Sequence, residues 1–121
     1  MLGLWVAIGG GIGSYLRFFV SGRMKGISVD FPYSTLTINI VGCFLMAILV
    51  GLFSKILASE EIKTFFAVGL LGGFTTFSAF SLETINLFER GETLLAVVYI
   101  FASVTFSLLG FIAGNFLIRM V

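Results

Sequence analysis

Residues 72–83 read GGFTTFSAFSLE and lie inside an apolar run, residues 64–88, that is long enough to cross a bilayer. These twelve positions hold two glycines, two threonines, two serines and one carboxylate. Polar groups in hydrocarbon need partners or water, so a plain lipid-facing helix would not normally contain such a segment. The segment therefore predicts a broken helix that lines a polar pathway between apolar walls.

The composition of the whole chain indicates an integral membrane protein. Of its 121 residues, 59% are hydrophobic and 11% are charged, whereas soluble domains average about a quarter charged residues. At ~20 residues per span plus short turns, this length fits four transmembrane helices, so we expect residues 1–121 to form a single all-α transmembrane domain. Histidine is absent and Cys43 is the single cysteine, which excludes metal–thiolate sites, disulfide frameworks and Cys/His catalysis within one chain. We predict that the chain is not an enzyme.

Four hydrophobic segments are separated by short polar turns. The predicted spans cover residues 2–20, 35–54, 64–88 and 93–118. They are joined by a polar turn at 21–34, a connection at 55–63 and a charged turn at 89–92. Ser59 is a plausible N-cap for the third span, because its hydroxyl can accept a hydrogen bond from the first helical turn.

The basic residues do not select one orientation in the membrane. They divide almost evenly between the two sides, with Lys55, Lys63 and Arg119 on the side of both termini, and Arg23, Lys25, Arg90 and the boundary residue Arg17 on the other. Orientation normally follows an excess of Lys and Arg in cytoplasmic loops. The near balance allows both orientations to coexist, and predicts an antiparallel homodimer.

The small size of the bundle also favours a second subunit, because four helices leave little interior room for the polar groups within the spans. Glycines would let helix backbones pack closely in lipid. In the first two predicted spans they stand at positions 3, 9, 10, 11, 13, 42 and 51. The Gly-x-x-x-Gly spacing of Gly9 and Gly13 is equally compatible with packing between subunits and within one.

Phe77 and Phe80 are the first candidate site residues. They are three apart and share one helical face, which Ser81 joins. Because an aromatic ring has a positive edge, two ring edges turned inward could hold a small anion. Ordinary packing among fifteen phenylalanines is the alternative, and composition alone favours it. The polar neighbours support the anion site: Thr75, Thr76, Ser78 and Ser81.

The glycine pair Gly72 and Gly73 predicts where the third span breaks, because each glycine costs up to ~1 kcal/mol relative to alanine in a helix. A break would free main-chain groups in mid-membrane. The carbonyls of Gly72 and Thr75 could then bind a cation such as Na⁺, particularly where two copies face each other across a dimer axis. The alternative is a glycine notch for helix packing.

Further polar residues lie within the other spans. Tyr99, Ser103 and Ser107 recur at intervals of four and form a hydroxyl stripe on one helical face. These hydroxyls could donate to a passing anion, or the serines could bond back to their own helix. The Asn39 amide could likewise donate to an anion or cross-link helices, with equal support for both.

Arg17 and Glu83 are charged residues close to span ends, where long side chains reach the interface at little cost. Arg17 could instead raise the local concentration of anions at a vestibule. Glu83 could accept hydrogen bonds from hydroxyls or pair with a cation, and a structural role is the favoured interpretation.

These residues resemble the fluoride channel family, called Fluc or CrcB, over essentially the whole chain. The matching motifs are GGGIGSYLRF at residues 9–18, TLTINIVG at 35–42 and, most specifically, GLLGGFTTFSAFSLE at 69–83. Ala79 departs from the family, which usually has threonine there, and removes one hydroxyl from the pore region. Ser34 replaces a common glycine.

The resemblance implies a dual-topology antiparallel homodimer with two separate fluoride pores. It implies that Phe77 and Phe80 line each pathway, and that further donors lie along it: Asn39, Ser78, Tyr99, Ser103 and Ser107. From their positions in the spans, we expect vestibule or structural roles for Thr76, Ser81, Glu83 and Arg17. The resemblance also implies a central Na⁺ held by main-chain oxygens of Gly72 and Thr75 from both subunits.

Passive fluoride conduction is the function that this reading predicts. Fluoride is small and tightly hydrated, so passage requires several donors to replace its water, and a narrow path excludes the larger chloride. The expected role is export of trapped fluoride across a prokaryotic plasma membrane, the inner membrane in a Gram-negative cell. We expect fluoride, Na⁺, a second copy of the chain and the bilayer as partners, and no nucleic acid.

Two other classes of membrane protein are weaker alternatives. A four-helix drug/proton antiporter needs a glutamate in its first span, and this first span has no acidic residue. A helper subunit that packs against larger membrane proteins would explain the glycines and phenylalanines, but not the aligned hydroxyls and the broken span.

Overall fold

The computed structural model describes residues 1–121 and is entirely helical, without strands. The first helix, α1, covers Leu2–Arg23 and is followed by a short 3₁₀ turn at Lys25–Ile27. Helix α2 covers Tyr33–Ile56. Helix α3, residues 60–74, is α-helical at Glu60–Lys63, π-helical at Thr64–Leu71 and α-helical again at Gly72–Phe74. Helix α4 covers Phe77–Glu89 and α5 covers Thr93–Met120.

Four helical segments are long and apolar enough to cross a membrane, namely Leu2–Arg23, Tyr33–Ile56, Glu60–Glu89 and Thr93–Met120. Each contains one of the four predicted spans, so the all-α, four-span prediction is confirmed. The predicted N-cap is also confirmed, since Ser59 Oγ accepts a hydrogen bond from the Ile62 amide at 3.3 Å. Helices α1 and α2 extend past the predicted polar boundaries, to Arg23 and from Tyr33.

The third span is broken at Thr75 and Thr76, and the prediction of a break at the glycine pair is wrong. Gly72 has helical dihedrals, whereas Thr75 (ψ 157°) and Thr76 (φ −152°, ψ 122°) are extended. Each threonine closes one helix end: Thr75 Oγ1 donates to Leu71 O at 3.0 Å, and Thr76 Oγ1 accepts from Ala79 N at 3.1 Å. Two consecutive threonines therefore stabilise the end of α3 and the start of α4.

Four glycines of α1 and α3 instead allow close packing between these two helices, namely Gly9, Gly13, Gly69 and Gly73. A Cβ added at Gly73 would lie 2.6 Å from Gly10 O, and one at Gly13 would collide with Leu70 O. A Cβ at Gly9 would collide with the main chain of α3 in the same way. The Gly-x-x-x-Gly spacing therefore packs helices within one subunit, where the backbones approach without intervening side chains.

Helix α2 packs along α5, and α4 contacts the start of α5. The buried core lies where α4 meets α5, and contains Phe80, Leu87, Ala96 and Tyr99. Only 20 of 121 residues are buried, so most apolar side chains face outward. Such a surface suits lipid or a second subunit, and the polar groups within the spans gather at the break.

Candidate functional site: a groove at the break in the third span

A groove of about 450 Å³ opens beside the break, between α2, the third span and α5. Its walls contain five of the seven predicted pathway residues and both predicted cation ligands. The lining consists of Asn39, Cys43, Gly72, Thr75, Thr76, Phe77, Phe80, Ser103, Val104, Ser107 and Leu108. No acidic or basic side chain is among these residues.

Asn39 holds the break open through two hydrogen bonds to one residue. Its Nδ2 donates to Thr76 O at 3.0 Å, and its Oδ1 accepts from Thr76 N at 2.9 Å. An amide supplies the donor and the acceptor that an extended residue needs, which a carboxylate cannot do. Of the two interpretations of Asn39, the structure contains the helix cross-link, and the second Nδ2 hydrogen remains for another acceptor in the groove.

The break redirects the amides that would otherwise bond the end of α3. Thr75 N donates to Leu71 O, and Thr76 N donates to the Asn39 side chain. In a continuous helix Thr76 N would donate to Gly72 O, so the Gly72 carbonyl loses its regular partner at the break. The Thr75 carbonyl also accepts no hydrogen bond. Oxygen atoms alone suit a hard cation such as Na⁺, and unwound main-chain carbonyls are a known source of them in membrane proteins.

Aromatic rings form a continuous row from the groove toward the turn before α2. The Phe77 and Phe80 ring centroids are 5.2 Å apart, Phe80 and Tyr99 are 5.1 Å apart, and Tyr99 and Phe31 are 5.4 Å apart. The predicted shared face of Phe77 and Phe80 is therefore present. Phe80 is buried at 8% exposure, whereas Phe77 is 76% exposed. Phe80 therefore packs in the core of the chain, and most of the Phe77 ring has no contact within it.

Two hydroxyls of the predicted stripe, Tyr99 Oη and Ser103 Oγ, are buried. Tyr99 Oη lies close to the side chains of Thr35, Glu83 and Ser103, but neither hydroxyl forms a hydrogen bond of normal geometry. For Ser103 the back-bonding alternative is therefore wrong, although Thr84 and Ser54 do bond their own helix carbonyls. A buried hydroxyl without a partner costs about 1–3 kcal/mol, and native structures contain few of them. Tyr99 does not line the groove itself, because it lies behind Phe80.

Ser78 and Ser81 lie outside this groove. Ser81 Oγ donates to Phe77 O at 3.0 Å, so its hydrogen is used within α4 and not turned toward an anion. Ser78 Oγ lies 3.2 Å from Thr76 Oγ1 on an exposed part of α4. Local back-bonding explains Ser81, and the pathway role of Ser78 stays a prediction.

Glu83 accepts a hydrogen bond from Thr35 Oγ1 at 2.7 Å. Of the two predicted alternatives for Glu83, the structure therefore shows the acceptor of a hydroxyl hydrogen bond. Glu83 forms no ion pair, because the chain's single side-chain ion pair joins Lys63 to Glu60. Tyr99 also lies close to this carboxylate. Sequence reasoning missed Thr35, although its position four before Asn39 places both on one face of α2.

Arg17 lines a second cavity of about 340 Å³ on the α1 side of the break. The other walls include Ser14, Ser21, Thr35 and Thr76. The Arg17 side chain is half-buried and forms no ion pair. A vestibule role for Arg17 stays a prediction, and the cavity places its cationic side chain among hydroxyls.

Residues 4–115 match the family model described as CrcB-like protein, Camphor Resistance (CrcB). The chain belongs to the CrcB-like family. A fluoride-specific ion channel FluC of Rhizobium etli is 47% identical over 118 residues, which are 96% of this chain and 94% of the relative. FluC of Rhizobium johnstonii is 48% identical over 116 residues, 94% of this chain and 93% of the relative. FluC of Agrobacterium fabrum is 48% identical over 111 residues, 90% and 89% of the two chains.

These comparisons confirm the family resemblance of the sequence motifs. The relatives are named as ion channels, so the prediction that this CrcB-like chain is not an enzyme is also confirmed. With four helices able to span a membrane and relatives from bacteria, the chain is a multi-pass prokaryotic membrane protein.

Proposed function

We propose that this CrcB-like chain forms a fluoride-selective channel that carries fluoride passively down its electrochemical gradient. One observation carries the proposal: the Ser103 hydroxyl is buried without a hydrogen bond in the wall of a groove in a membrane span. A buried hydroxyl without a hydrogen bond lowers the stability of the folded chain, and an anion in the groove would offset this free-energy cost. The names of the relatives supply the ion.

Fluoride needs donors that replace its tightly held water during passage. The groove offers the Ser103 and Ser107 hydroxyls and the free hydrogen of the Asn39 amide. The positive ring edges of Phe77 and Phe80 add weak attraction without a full charge. A set of weak donors favours conduction, because a fixed cation would hold the anion too firmly to release it.

Conduction without coupling is favoured by what lines the groove. A drug/proton antiporter requires a carboxylate that exchanges a proton for its substrate, and no carboxylate lines this groove. The first span also has none. We therefore propose electrodiffusion, in which the inside-negative membrane potential drives the anion outward across the plasma membrane, which is the inner membrane in a Gram-negative cell.

The working unit in this proposal is an antiparallel homodimer with two pores, one for each groove. The exposed Phe77 ring and the apolar outer surface support a second subunit. The nearly even division of basic residues between the two sides supports opposite orientations. Partners are fluoride, a second copy of the chain and the surrounding lipid, with no role for nucleic acid.

A structural Na⁺ at the centre of the dimer belongs to the same proposal. The main-chain oxygens of Gly72 and Thr75 would hold it, since both lack their regular helical donors. No group of His, Cys, Asp or Glu side chains competes for a metal elsewhere in the chain. When bound, Na⁺ supplies positive charge that joins the oxygens of two subunits.

The test is efflux from liposomes loaded with potassium fluoride or potassium chloride, followed with ion-selective electrodes. We expect fast fluoride loss that starts when valinomycin allows K⁺ to follow, negligible chloride loss, and no requirement for a pH gradient. Chloride loss at a similar rate, or fluoride loss that needs a pH gradient, would contradict the proposal.

Two conservative variants test the observation that carries the proposal. Ser103→Ala removes one donor to a charged ion in the groove, worth about 1.5–3 kcal/mol, which corresponds to a roughly 10- to 150-fold slower efflux. Tyr99→Phe removes the hydroxyl behind Phe80, which does not line the groove, and should slow efflux less. Because Ser103 Oγ forms no protein hydrogen bond, we expect Ser103→Ala to retain its stability. Thr105→Ala, at an exposed position on α5, is the matched control and should conduct normally.

A further inference from the structure

Cys43 is the chain's single cysteine and is a half-buried residue in the wall of the groove. It lies one helical turn after Asn39 on the same face of α2. Across the groove, its thiol is close to the Ser107 side chain of α5. Neither the family resemblance nor the pathway argument gives Cys43 a role.

A second, independent observation shows that this part of the groove is built for a polar occupant. The Ser103 hydroxyl lines the same cavity, is 7% exposed and has no hydrogen-bond partner. A purely apolar packing notch would not leave a hydroxyl in this state. The Cys43 thiol therefore faces a space in which water or a small polar molecule meets the protein.

We propose that Cys43 is a thiol modification site through which small thiol-reactive compounds, of the alkyl methanethiosulfonate class, close the groove. The inference rests on the proposed function of the groove as an anion pathway. In the reaction the Cys43 thiol loses its proton to water, and the thiolate sulfur attacks the sulfenyl sulfur of methyl methanethiosulfonate. A new S–S bond forms, the S–SO₂ bond breaks, and methanesulfinate leaves with the electron pair.

The added group enters the groove because the helices on either side of Cys43 are already in close contact. The neighbouring Gly42 packs so tightly that a Cβ there would collide with Thr75 Cγ2. A Cβ at Gly114 of α5 would lie 2.5 Å from Phe44 O, so α2 and α5 are also in close contact. A methylthio group on Cys43 must therefore occupy the groove itself. It places an apolar methyl beside Asn39 and Ser107, where fluoride needs donors.

The experiment treats the folded protein in liposomes with methyl methanethiosulfonate, and measures fluoride efflux together with the fraction labelled by intact-mass spectrometry. We expect one label per chain, efflux slowed at least tenfold, and recovery after dithiothreitol reduces the mixed disulfide. Cys43→Ser and Cys43→Ala, each compared with its own untreated sample, should acquire no label and show no response. No other cysteine can contribute to the signal.

Two results would overturn the modification site. One is unchanged fluoride efflux through protein that is fully labelled. The other is absence of label on the folded protein under conditions that label it completely in SDS. Failure of the proposed function has a different signature, because untreated protein would then show no fluoride efflux at all.

Discussion

Asn39→Ala should destabilise the fold strongly, because the Asn39 amide is the partner of both main-chain groups of Thr76. The variant removes the bonds at 2.9 and 3.0 Å and leaves one N–H and one C=O unpaired. Thr76 is only 8% exposed, so water has little access to either group. At about 1–3 kcal/mol for each unpaired buried group, we expect a loss of about 2–6 kcal/mol.

Unfolding in mixed micelles titrated with SDS measures this loss, with fluorescence of the single tryptophan as the signal. Trp5 packs edge-on against Phe65 at 6.2 Å and therefore reports contact between α1 and α3. Thr37→Ala, at a half-buried position on the same helix, is the matched control. Should Asn39→Ala unfold within about 0.5 kcal/mol of that control, the Asn39 amide would not be what stabilises the break.

Three further predictions follow from packing and backbone geometry. Gly13→Ala should cost about 1–3 kcal/mol in the same titration, because its Cβ would collide with the α3 backbone. A Cβ at Gly11 has nothing within 4 Å, so Gly11→Ala should gain up to ~1 kcal/mol from helix propensity. Equal effects of the two variants would contradict the packing. Phe80→Ala should cost about 3–5 kcal/mol because Phe80 is buried. Phe77→Ala should cost less, because Phe77 is 76% exposed within its own chain, yet it should stop fluoride efflux. Normal efflux would exclude Phe77 from the pathway. Leu57→Gly should raise the free energy of unfolding by about 1 kcal/mol, because Leu57 has a left-handed φ of 51°. A lower free energy of unfolding would mean that the contacts of the Leu57 side chain outweigh the backbone strain.

The number and approximate limits of the spans could be predicted from the sequence, because segment length and apolar content alone determine what crosses a bilayer. The place of the break could not. Helix propensity indicated Gly72 and Gly73, but in lipid a glycine gains close packing that outweighs its poor propensity, as Gly73 does against Gly10. The threonine hydroxyls at the break act through local bonds that composition does not reveal.

Helical periodicity predicted which residues of the candidate site share a face. It could not predict how deeply a residue is buried or in which direction its side chain points. Spacing placed Ser103 and Ser107 on one face, and both line the groove. Spacing did not show that Tyr99 lies behind Phe80, because a neighbouring helix sets that depth. The hydrogen bond from Ser81 Oγ to Phe77 O could not be predicted from the sequence either, because it depends on the rotamer of one side chain.

The reversal potential of currents through the protein in a planar bilayer tests the central claim most directly. With a tenfold fluoride gradient, equal chloride and equal pH on both sides, we predict a reversal potential shifted by about 59 mV, the value for a singly charged ion. A reversal potential that stays near zero, or that follows a chloride or proton gradient instead, would contradict a fluoride-selective path through this groove.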